Sequence, residues 1–294
     1  MHGRVPSGTR AAVAAPGIIR SARRPPGWRA PGPLPPIRRD PALAPRRNED
    51  LCYLAGEWRI LQRTDGHRWS LDDLVTAWFA ASEVAATPPA TVLDLGCGIG
   101  AVLMLLAWRF PAAGLVGIEA QALSVDLARR SVAWNGIEGR CAVQHGDLRD
   151  AGVLAPAARF ALVTGTPPYL PLGTATVSRR VQRADCHVER RGGIEAYCAA
   201  AARWLVPDGC FVACAAAAAV ERVAAAASAA GLAIARRLDV VPRAGKAALF
   251  SVYALRRQEK VEGTVVESPL VVRDAAGGRT RAFGAVRRAM GMPP

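Results

Sequence analysis

Residues 91–100 read Thr-Val-Leu-Asp-Leu-Gly-Cys-Gly-Ile-Gly, and much of the architecture follows from this stretch. A short apolar run, interrupted by Asp94, is followed by glycines at alternate positions, Gly96, Gly98 and Gly100. Apolar residues at helical spacing come next. Strand, tight glycine loop and helix in this order form the opening unit of a nucleotide-binding α/β domain. Glycine lets the chain turn through positive φ and lets a ligand approach the backbone closely.

Strands and helices alternate along the chain after the glycine loop. Strands are predicted over Gly114–Ile118, Cys141–Gln144, Phe160–Val163 and Cys210–Ala215, helices over Ala122–Trp134 and Ile194–Leu205, and a closing antiparallel pair over Leu232–Val241 and Ala247–Leu255. This alternation predicts an α/β fold with a mainly parallel sheet and helices on both faces. Asp94, Glu119, Asp147 and Thr166 stand at or near strand ends, where ligands bind in such sheets.

The spacing of the glycines separates two kinds of nucleotide site. A dinucleotide site has the pattern Gly-x-Gly-x-x-Gly, whereas this loop has Gly-x-Gly-x-Gly and follows Asp94. A carboxylate beside the loop would repel a pyrophosphate but would attract a cationic ligand. S-adenosylmethionine carries a sulfonium and an α-ammonium group, so it suits such a site.

Four segments in chain order resemble the motifs of class I S-adenosylmethionine-dependent methyltransferases. The glycine loop with Asp94, Gly96, Gly98 and Gly100 is similar to motif I; Glu119 matches the acid that holds the ribose; Asp147 matches the acid that meets the adenine; and Thr166-Pro167-Pro168-Tyr169 matches the substrate loop. The resemblance implies a Rossmann-like domain with a seven-stranded, mainly parallel sheet and S-adenosylmethionine as cofactor. It assigns the substrate-side roles to Thr166, Pro167 and Tyr169.

The segment before the core resembles the N-terminal segment of the methyltransferases that modify adenine-N6 in valine tRNA. It runs from Gln62 through His67 and Arg68 to Asp72, and in that group it closes over the cofactor. The resemblance therefore implies that Arg68 contacts the cofactor. It also places a methyltransferase domain at residues 49–256 and a C-terminal extension, packed on the domain, at 257–294.

One residue departs from the pattern of the enzymes that methylate amino groups. Those enzymes have Asn-Pro-Pro-Tyr, in which the Asn oxygen and a Pro carbonyl accept hydrogen bonds from the target amine, and this chain has Thr166. A hydroxyl accepts a hydrogen bond but reaches less far than a carboxamide. The leading hypothesis is direct in-line methyl transfer to a base amine in RNA, with a tRNA-like substrate. The alternatives are methylation of a protein glutamine or a small molecule, and a non-catalytic binding module on the same scaffold.

The charge and composition of the chain bear on RNA binding and on the state of its arginine-rich segments. The 294 residues carry a net charge of +14, which permits RNA binding without demonstrating it. The Arg- and Pro-rich residues 1–48 predict a disordered arm, although a transit peptide or an over-extended translation start has the same composition. The arginines of residues 178–191 form either an RNA-contacting patch or a solvated loop.

Cysteine and histidine usage predicts a reduced protein without a metal. The seven cysteines include no Cys-x-x-Cys pair, and the four histidines have no metal-ligand spacing. No apolar run reaches the roughly 18 residues that span a bilayer, so we expect a cytoplasmic protein without membrane contact, unless residues 1–48 target an organelle. The oligomeric state stays open.

Overall fold

The computed structural model describes residues 17–36, 40–169 and 192–294. In chain order its strands and helices are β1 (Ile18–Ile19), β2 (Glu49–Tyr53), β3 (Arg59–Arg63), α1 (Leu71–Glu83), β4 (Thr91–Leu95), α2 (Ala101–Arg109), β5 (Gly114–Glu119), α3 (Ala122–Trp134), β6 (Cys141–His145), β7 (Phe160–Gly165), α4 (Ile194–Trp204), β8 (Leu205–Ala216), α5 (Val220–Ala229), β9 (Leu232–Val241), β10 (Phe250–Arg257), β11 (Val265–Val266), β12 (Leu270–Val271) and α6 (Arg281–Ala289). Short 3-10 turns lie at Pro41–Leu43, Ala217–Ala219 and Gln258–Lys260.

A central sheet joins nine of these strands in the order β11-β9-β10-β8-β7-β4-β5-β6, with β12 also paired to β9. The strands from β6 to β8 are parallel, and β10 runs antiparallel to both of its neighbours. The predicted α/β class with a mainly parallel sheet is confirmed. Seven strands were expected; β11 and β12 add two, and each is too short to show a strand pattern in the sequence.

The chain reverses its direction of winding at β4. From β4 it proceeds to β5 and β6 on one side, and β7 then pairs with the other side of β4. The carboxyl ends of β4 and β7 therefore flank the switch point, where open α/β sheets bind their ligands. The glycine loop and Thr166 follow these two strand ends directly.

Alternating side chains of the strands face two separate hydrophobic clusters. Val92 of β4 belongs to the cluster that includes α1, α2 and α3, whereas Leu93 and Leu95 belong to the cluster that includes α4 and α5. This period of two places helices on both faces of the sheet. Among the described residues, no helix combines the length and the apolar character needed to cross a membrane.

The N-terminal arm differs from its predicted disorder wherever the structure describes it. Ile18–Ile19 pairs in parallel with β2, which pairs with β3 in a small second sheet. The Arg24 guanidinium lies 2.7 Å from a Glu57 carboxylate oxygen. Composition predicts disorder because this segment has no hydrophobic core of its own. In the structure, Arg20 and Arg24 of the segment form ion pairs with Asp50 and Glu57 of the domain. Residues 1–16 and 37–39 lie outside the described residues.

The C-terminal segment adds its short strands to β9 and then forms α6. Phe283 and Val286 of α6 are buried in the same cluster as α1. The backbone N–H of Gly56 donates to the Gly291 carbonyl at 2.7 Å, so the end of the chain is tied to the loop between β2 and β3.

Candidate active site

The glycine loop joins β4 to α2 through backbone conformations that suit glycine. Gly96, Gly98 and Gly100 have φ values of 59°, 56° and 86°. The N–H of Cys97 donates to the Ile118 carbonyl at 2.9 Å, which fixes the loop against the end of β5. A Cβ added to Gly98 would meet no atom within 4 Å, so this glycine borders open space. That space is the cavity of the candidate site.

The cavity lies at the carboxyl ends of β4, β5, β6 and β7 and encloses about 130 Å³. Its polar lining residues are His67, Ser70, Asp72, Asp73, Glu119, Gln121, Asp147, Thr166, Tyr169 and Tyr197. Four carboxylates line it, and no arginine or lysine among the described residues does so. In a chain of net charge +14, this cavity is locally acidic. The arrangement favours a cationic ligand and disfavours a pyrophosphate.

Glu119 ends β5 and holds the glycine loop. One of its carboxylate oxygens accepts a hydrogen bond from the Gly98 N–H at 2.9 Å, and the other accepts from the Gln121 N–H at 2.7 Å. The side chain is buried but still lines the cavity. A carboxylate in this position has lone pairs for ribose hydroxyls, as the resemblance implied.

Asp147 follows β6 and lines the cavity. Its Oδ1 accepts hydrogen bonds from the backbone N–H and Nε of Arg149, each at 2.9 Å, and its Oδ2 accepts from Nη2 at 2.7 Å. Arg149 therefore orients a carboxylate whose charge it partly balances. Gly146 N–H donates to the Glu119 carbonyl at 3.0 Å, which joins the ends of β5 and β6.

Asp94 is buried beside the cavity and does not line it. Its Oδ1 accepts a hydrogen bond from the Thr164 hydroxyl at 2.8 Å, whereas Oδ2 has no hydrogen-bond partner among the described residues. Burial raises the pKa of Asp94 to about 7, and the nearby charge of Glu119 acts in the same direction. A buried, half-satisfied carboxyl group next to the loop is the feature that a cationic ligand would stabilise in its ionised form.

The start of α1 closes another side of the cavity. Asp73 Oδ2 accepts a hydrogen bond from the Ser70 N–H at 2.9 Å, which caps the first turn of α1. Burial, together with the charge of Asp72, raises the pKa of Asp73 well above its usual range. The helix cap thus presents two carboxyl groups to the cavity.

The substrate loop is tied to this helix start. The Tyr169 hydroxyl donates to Asp72 Oδ2 at 3.2 Å and lies 2.9 Å from Cys214 Sγ. Burial raises the pKa of the Tyr169 hydroxyl, so the group stays protonated. Thr166 and Pro167, which precede Tyr169, also line the cavity.

Tyr197 of α4 lines the cavity although no motif in the sequence indicates it. Its hydroxyl would lie 2.2 Å from a Cβ placed on Gly96. Tyr197 is separated from the glycine loop by about a hundred residues of sequence, and an aromatic residue on a helix face is typical of a core position. Asp73 and Gln121 also line the cavity, and no motif in the sequence indicated them.

Three expected cofactor-site residues have other positions or roles. Arg68 does not line this cavity: its Nη1 donates to the buried Asp50 at 3.0 Å, and the residue lines a second cavity. The buried carboxylate of Asp50 binds the guanidinium, and the cofactor contact of Arg68 stays a prediction. Asp94 lies behind the lining residues, and Gly100 is the N-cap of α2. The arginine-rich residues 178–191 lie outside the described residues.

The cavity fits the donor and acceptor pattern of S-adenosylmethionine. Glu119 offers acceptors for ribose hydroxyls, Asp147 offers acceptors for an amino group, and the carboxylates suit a sulfonium and an ammonium group. Among the described residues, no group of three or more histidine, cysteine or acidic residues has metal-binding geometry. Cys97, within the loop, is buried and packs on Gly117, and burial raises the pKa of its thiol, so it is a packing residue.

Comparison with known proteins agrees with this geometry. The family described as "Methyltransferase domain" matches residues 92–184. A tRNA1(Val) (adenine(37)-N6)-methyltransferase of Porphyromonas gingivalis is 30% identical over 138 residues, which are 46% of this chain and 53% of that protein. A release factor glutamine methyltransferase of Chlorobaculum tepidum is 31% identical over 108 residues, 36% of this chain and 37% of that protein. The chain thus spans about half or less of these relatives.

A solved structure supports the same fold. A predicted O-methyltransferase from Agrobacterium tumefaciens is similar with a TM-score of 0.57 and 19% sequence identity, over 76% of this chain and 98% of that chain. The likeness at this level of identity concerns the fold. The strand order, the glycine loop and the domain match agree with it. The chain therefore has the fold of the class I S-adenosylmethionine-dependent methyltransferases, and residues 92–184 carry the sequence of a methyltransferase domain.

Proposed function

We propose that the protein transfers the methyl group of S-adenosylmethionine to an amino group of a base in RNA, with a tRNA-like substrate. The observation that carries the proposal is the acidic cavity at the strand ends, which has Glu119 and Asp147 on its wall and Thr166 and Tyr169 beside them. The relative from Porphyromonas gingivalis, whose name gives adenine-N6 of a tRNA as its target, supports the substrate class.

The cofactor, when bound, supplies an electrophilic methyl group, and the residues of this chain position the acceptor against it. Thr166 offers a hydroxyl oxygen, and Pro167 a carbonyl oxygen, as hydrogen-bond acceptors for the two hydrogens of an amine. Accepting both hydrogens leaves the nitrogen lone pair free to point toward the methyl carbon. Correct placement of the two reactants supplies most of the rate in such a transfer, so no covalent nucleophile is required.

Tyr169 has a double role in this proposal. Its ring presents an aromatic face beside Thr166, on which a flat base stacks. Its hydroxyl is held by Asp72 and Cys214, which fixes the ring orientation. Methylation leaves the acceptor nitrogen positively charged, and it then loses one proton to a carboxylate on this wall, Asp72 or Asp73.

A second candidate is methylation of a protein glutamine side chain, which is also a planar group with an NH2. The specific observation that favours it is the 31% identity to a release factor glutamine methyltransferase. Both candidates require the same acceptors at Thr166 and Pro167. They differ in the molecule that reaches the cavity.

The test is the transfer of tritium from methyl-labelled S-adenosylmethionine to fractions of a cell extract. We expect label in the RNA fraction, and we expect nuclease digestion to release it as a methylated nucleoside. Label confined to protein would support the glutamine alternative, and label in neither fraction would contradict both. A Thr166→Asn variant should increase transfer to an adenine amine, because the carboxamide oxygen reaches further than the hydroxyl.

A further inference from the structure

A second cavity of about 470 Å³ is separated from the candidate active site by residues 67–70. His67 and Ser70 line the first cavity, whereas Arg68 and Trp69, between them in the sequence, line the second. The segment 67–70 therefore forms a wall between the two cavities. The volume falls within the roughly 300–1,000 Å³ that ligand sites usually have.

Besides Arg68 and Trp69, three distant parts of the chain build this second cavity. The N-terminal arm contributes Arg20, Arg23, Arg24 and Trp28; the loop after β2 contributes the backbone around Gly56; and the C-terminal segment contributes Arg287. The Arg287 Nε donates to the Pro293 carbonyl at 2.7 Å, so its guanidinium is held in place. The cavity is a built feature of the fold, since each part is anchored to the domain.

Five arginines line the second cavity, and the described acidic residues compensate them only in part. Arg20 and Arg68 share the carboxylate of Asp50, which is fully buried. Arg24 is paired with Glu57. Arg23 and Arg287 form no ion pair with any carboxylate that the structure describes. The cavity therefore carries an excess of positive charge, in contrast to the acidic first cavity.

The environment of Arg287 disfavours its charged form. Its guanidinium is partly buried, and burial lowers its pKa to about 10, with repulsion from Arg279 acting in the same direction. An anion in the cavity would replace the missing counter-charge. Charge-assisted hydrogen bonds from guanidinium to phosphate are among the stronger ones in proteins.

Aromatic rings lie among the arginines. The Arg24 guanidinium carbon lies 5.3 Å from the centroid of the Trp28 ring and 4.7 Å from that of Tyr53. The Arg59 guanidinium carbon lies 4.0 Å from the Tyr53 centroid, so two guanidinium groups lie on Tyr53 and one lies on Trp28. Trp28 and Trp69 are only partly buried and line the cavity. Positive charge interleaved with aromatic rings is the pattern that binds single-stranded nucleic acid.

We propose that the second cavity binds a single-stranded segment of RNA, with phosphates at Arg23 and Arg287 and a base on Trp28. The inference rests on the proposed function, which makes RNA the substrate. It adds an RNA-binding site outside the methyl-transfer cavity. Because the segment 67–70 separates the two cavities, RNA held in the second would present a neighbouring nucleotide to the first. An unpaired strand is required, because only unstacked bases can lie on a side-chain ring.

The test compares the binding of a fluorescent RNA oligonucleotide of about ten nucleotides to the full chain and to an Arg23→Gln/Arg287→Gln variant. Arg29→Gln is the matched control, because Arg29 is exposed in the same arm and does not line the cavity. We expect the double variant to bind at least tenfold more weakly at 100 mM salt, and the control to bind within twofold of wild type. The slope of log affinity against log salt should fall by about 1.4 in the double variant, because each phosphate contact to a single strand contributes about 0.7.

Two further measurements keep the inference separate from the proposed function. S-adenosylmethionine affinity should be unchanged in the double variant, which also shows that it is folded. A Trp28→Ala variant should weaken binding without changing the salt slope, since stacking involves no counterion release. Equal binding of adenosine monophosphate and the oligonucleotide would overturn the inference by indicating a small-ligand site.

The remaining outcomes also decide between the two proposals. If the double variant binds RNA as the Arg29→Gln control does, while wild type methylates RNA, the second site is contradicted and the proposed function stands. If RNA binding depends on Arg23 and Arg287 but no label reaches RNA, the second site is supported and the proposed function is contradicted.

Discussion

At the scale of single residues, Asp94 gives the candidate site a charge that changes near neutral pH. Its carboxyl group is 2% exposed, and only one of its oxygens has a hydrogen-bond partner among the described residues. With a pKa raised to about 7, it is largely neutral at pH 6 and ionised at pH 8. Because ionisation is harder in the folded than in the unfolded chain, the stability of the free protein falls as pH rises from about 4, the usual carboxyl pKa, to about 7. A cation bound nearby favours the ionised form of Asp94.

We expect S-adenosylmethionine to bind more tightly as pH rises from 6 to 8. If binding favours ionised Asp94, the dissociation constant should fall by up to roughly tenfold over this range. Calorimetric titrations at several pH values measure this dependence. Asp73, whose pKa is also raised, should contribute to the same pH dependence of affinity. A variant is therefore needed to assign the dependence to Asp94.

Asp94→Asn supplies that assignment, since it keeps the side-chain shape and an acceptor for Thr164. We expect its affinity to be close to that of wild type at pH 6 and to improve much less with pH. An undiminished pH dependence in Asp94→Asn would show that the dependence arises elsewhere, for example at Asp73.

Substitution of Thr166 tests the proposed contact with the target amine separately from cofactor binding. Thr166→Val preserves shape but removes the hydroxyl that we propose as an acceptor for the amine. We expect single-turnover methyl transfer to fall at least tenfold, equivalent to about 1.4 kcal/mol of transition-state stabilisation, with cofactor affinity within twofold of wild type. Thr166→Ser, which retains the hydroxyl, should lose less. Equal rates for the Val and wild-type proteins would remove Thr166 from the mechanism.

At the scale of secondary-structure elements, a buried ion pair joins α3 to the small sheet. Both terminal nitrogens of Arg130 donate to the Glu49 carboxylate at 3.0–3.1 Å, and the two side chains are only 7% and 5% exposed. We expect Arg130→Met to lower the free energy of unfolding by about 3–5 kcal/mol, because it leaves Glu49 buried without its partner. Urea denaturation measures the change.

The control is the double variant Arg130→Met/Glu49→Leu, which removes both charges. Its stability should recover most of the loss, because an apolar pair of similar volume has no desolvation cost. A double variant less stable than Arg130→Met would contradict this explanation of the pair.

The contact between the glycine loop and α4 allows a second test at this scale. In Gly96→Ala the new Cβ would lie 2.2 Å from the Tyr197 hydroxyl at a φ of 59°, so we expect a loss of about 2–5 kcal/mol from the clash and backbone strain together. Gly98→Ala has a similar φ of 56° and nothing within 4 Å, so it should lose only about 1–2 kcal/mol. Thermal unfolding without cofactor compares the two. Equal losses would show that Tyr197 does not restrict Gly96.

The elements were predictable where a local pattern specified them. The predicted helix over Ala122–Trp134 agrees with α3, and β4, β5 and β7 lie where their apolar runs and turn residues indicated. Residues brought into contact only by the tertiary fold were not predictable. Tyr197 reaches the glycine loop because α4 packs across β4 and β7, and Arg68 is drawn to Asp50 by a pairing that no spacing in the sequence indicates.

At the scale of the whole molecule, charge is segregated between two cavities. The chain carries a net charge of +14, yet the cavity at the strand ends is lined by carboxylates and the second cavity by arginines. Net charge alone indicated only that RNA binding was permitted. The docking of the N-terminal arm, which composition predicted to be disordered, is what brings Arg23 and Trp28 into the second cavity. Charge composition could not reveal this, because it depends on carboxylates far away in the sequence.

The central claim is that the acidic cavity at the strand ends binds S-adenosylmethionine, and a calorimetric titration at pH 8 of the wild-type chain and Glu119→Gln tests it most directly. We predict one site per chain in wild type and at least tenfold weaker binding in Glu119→Gln, since the amide has one acceptor oxygen where the carboxylate has two. No heat of binding to the wild type, or equal affinity for the two proteins, would contradict the claim.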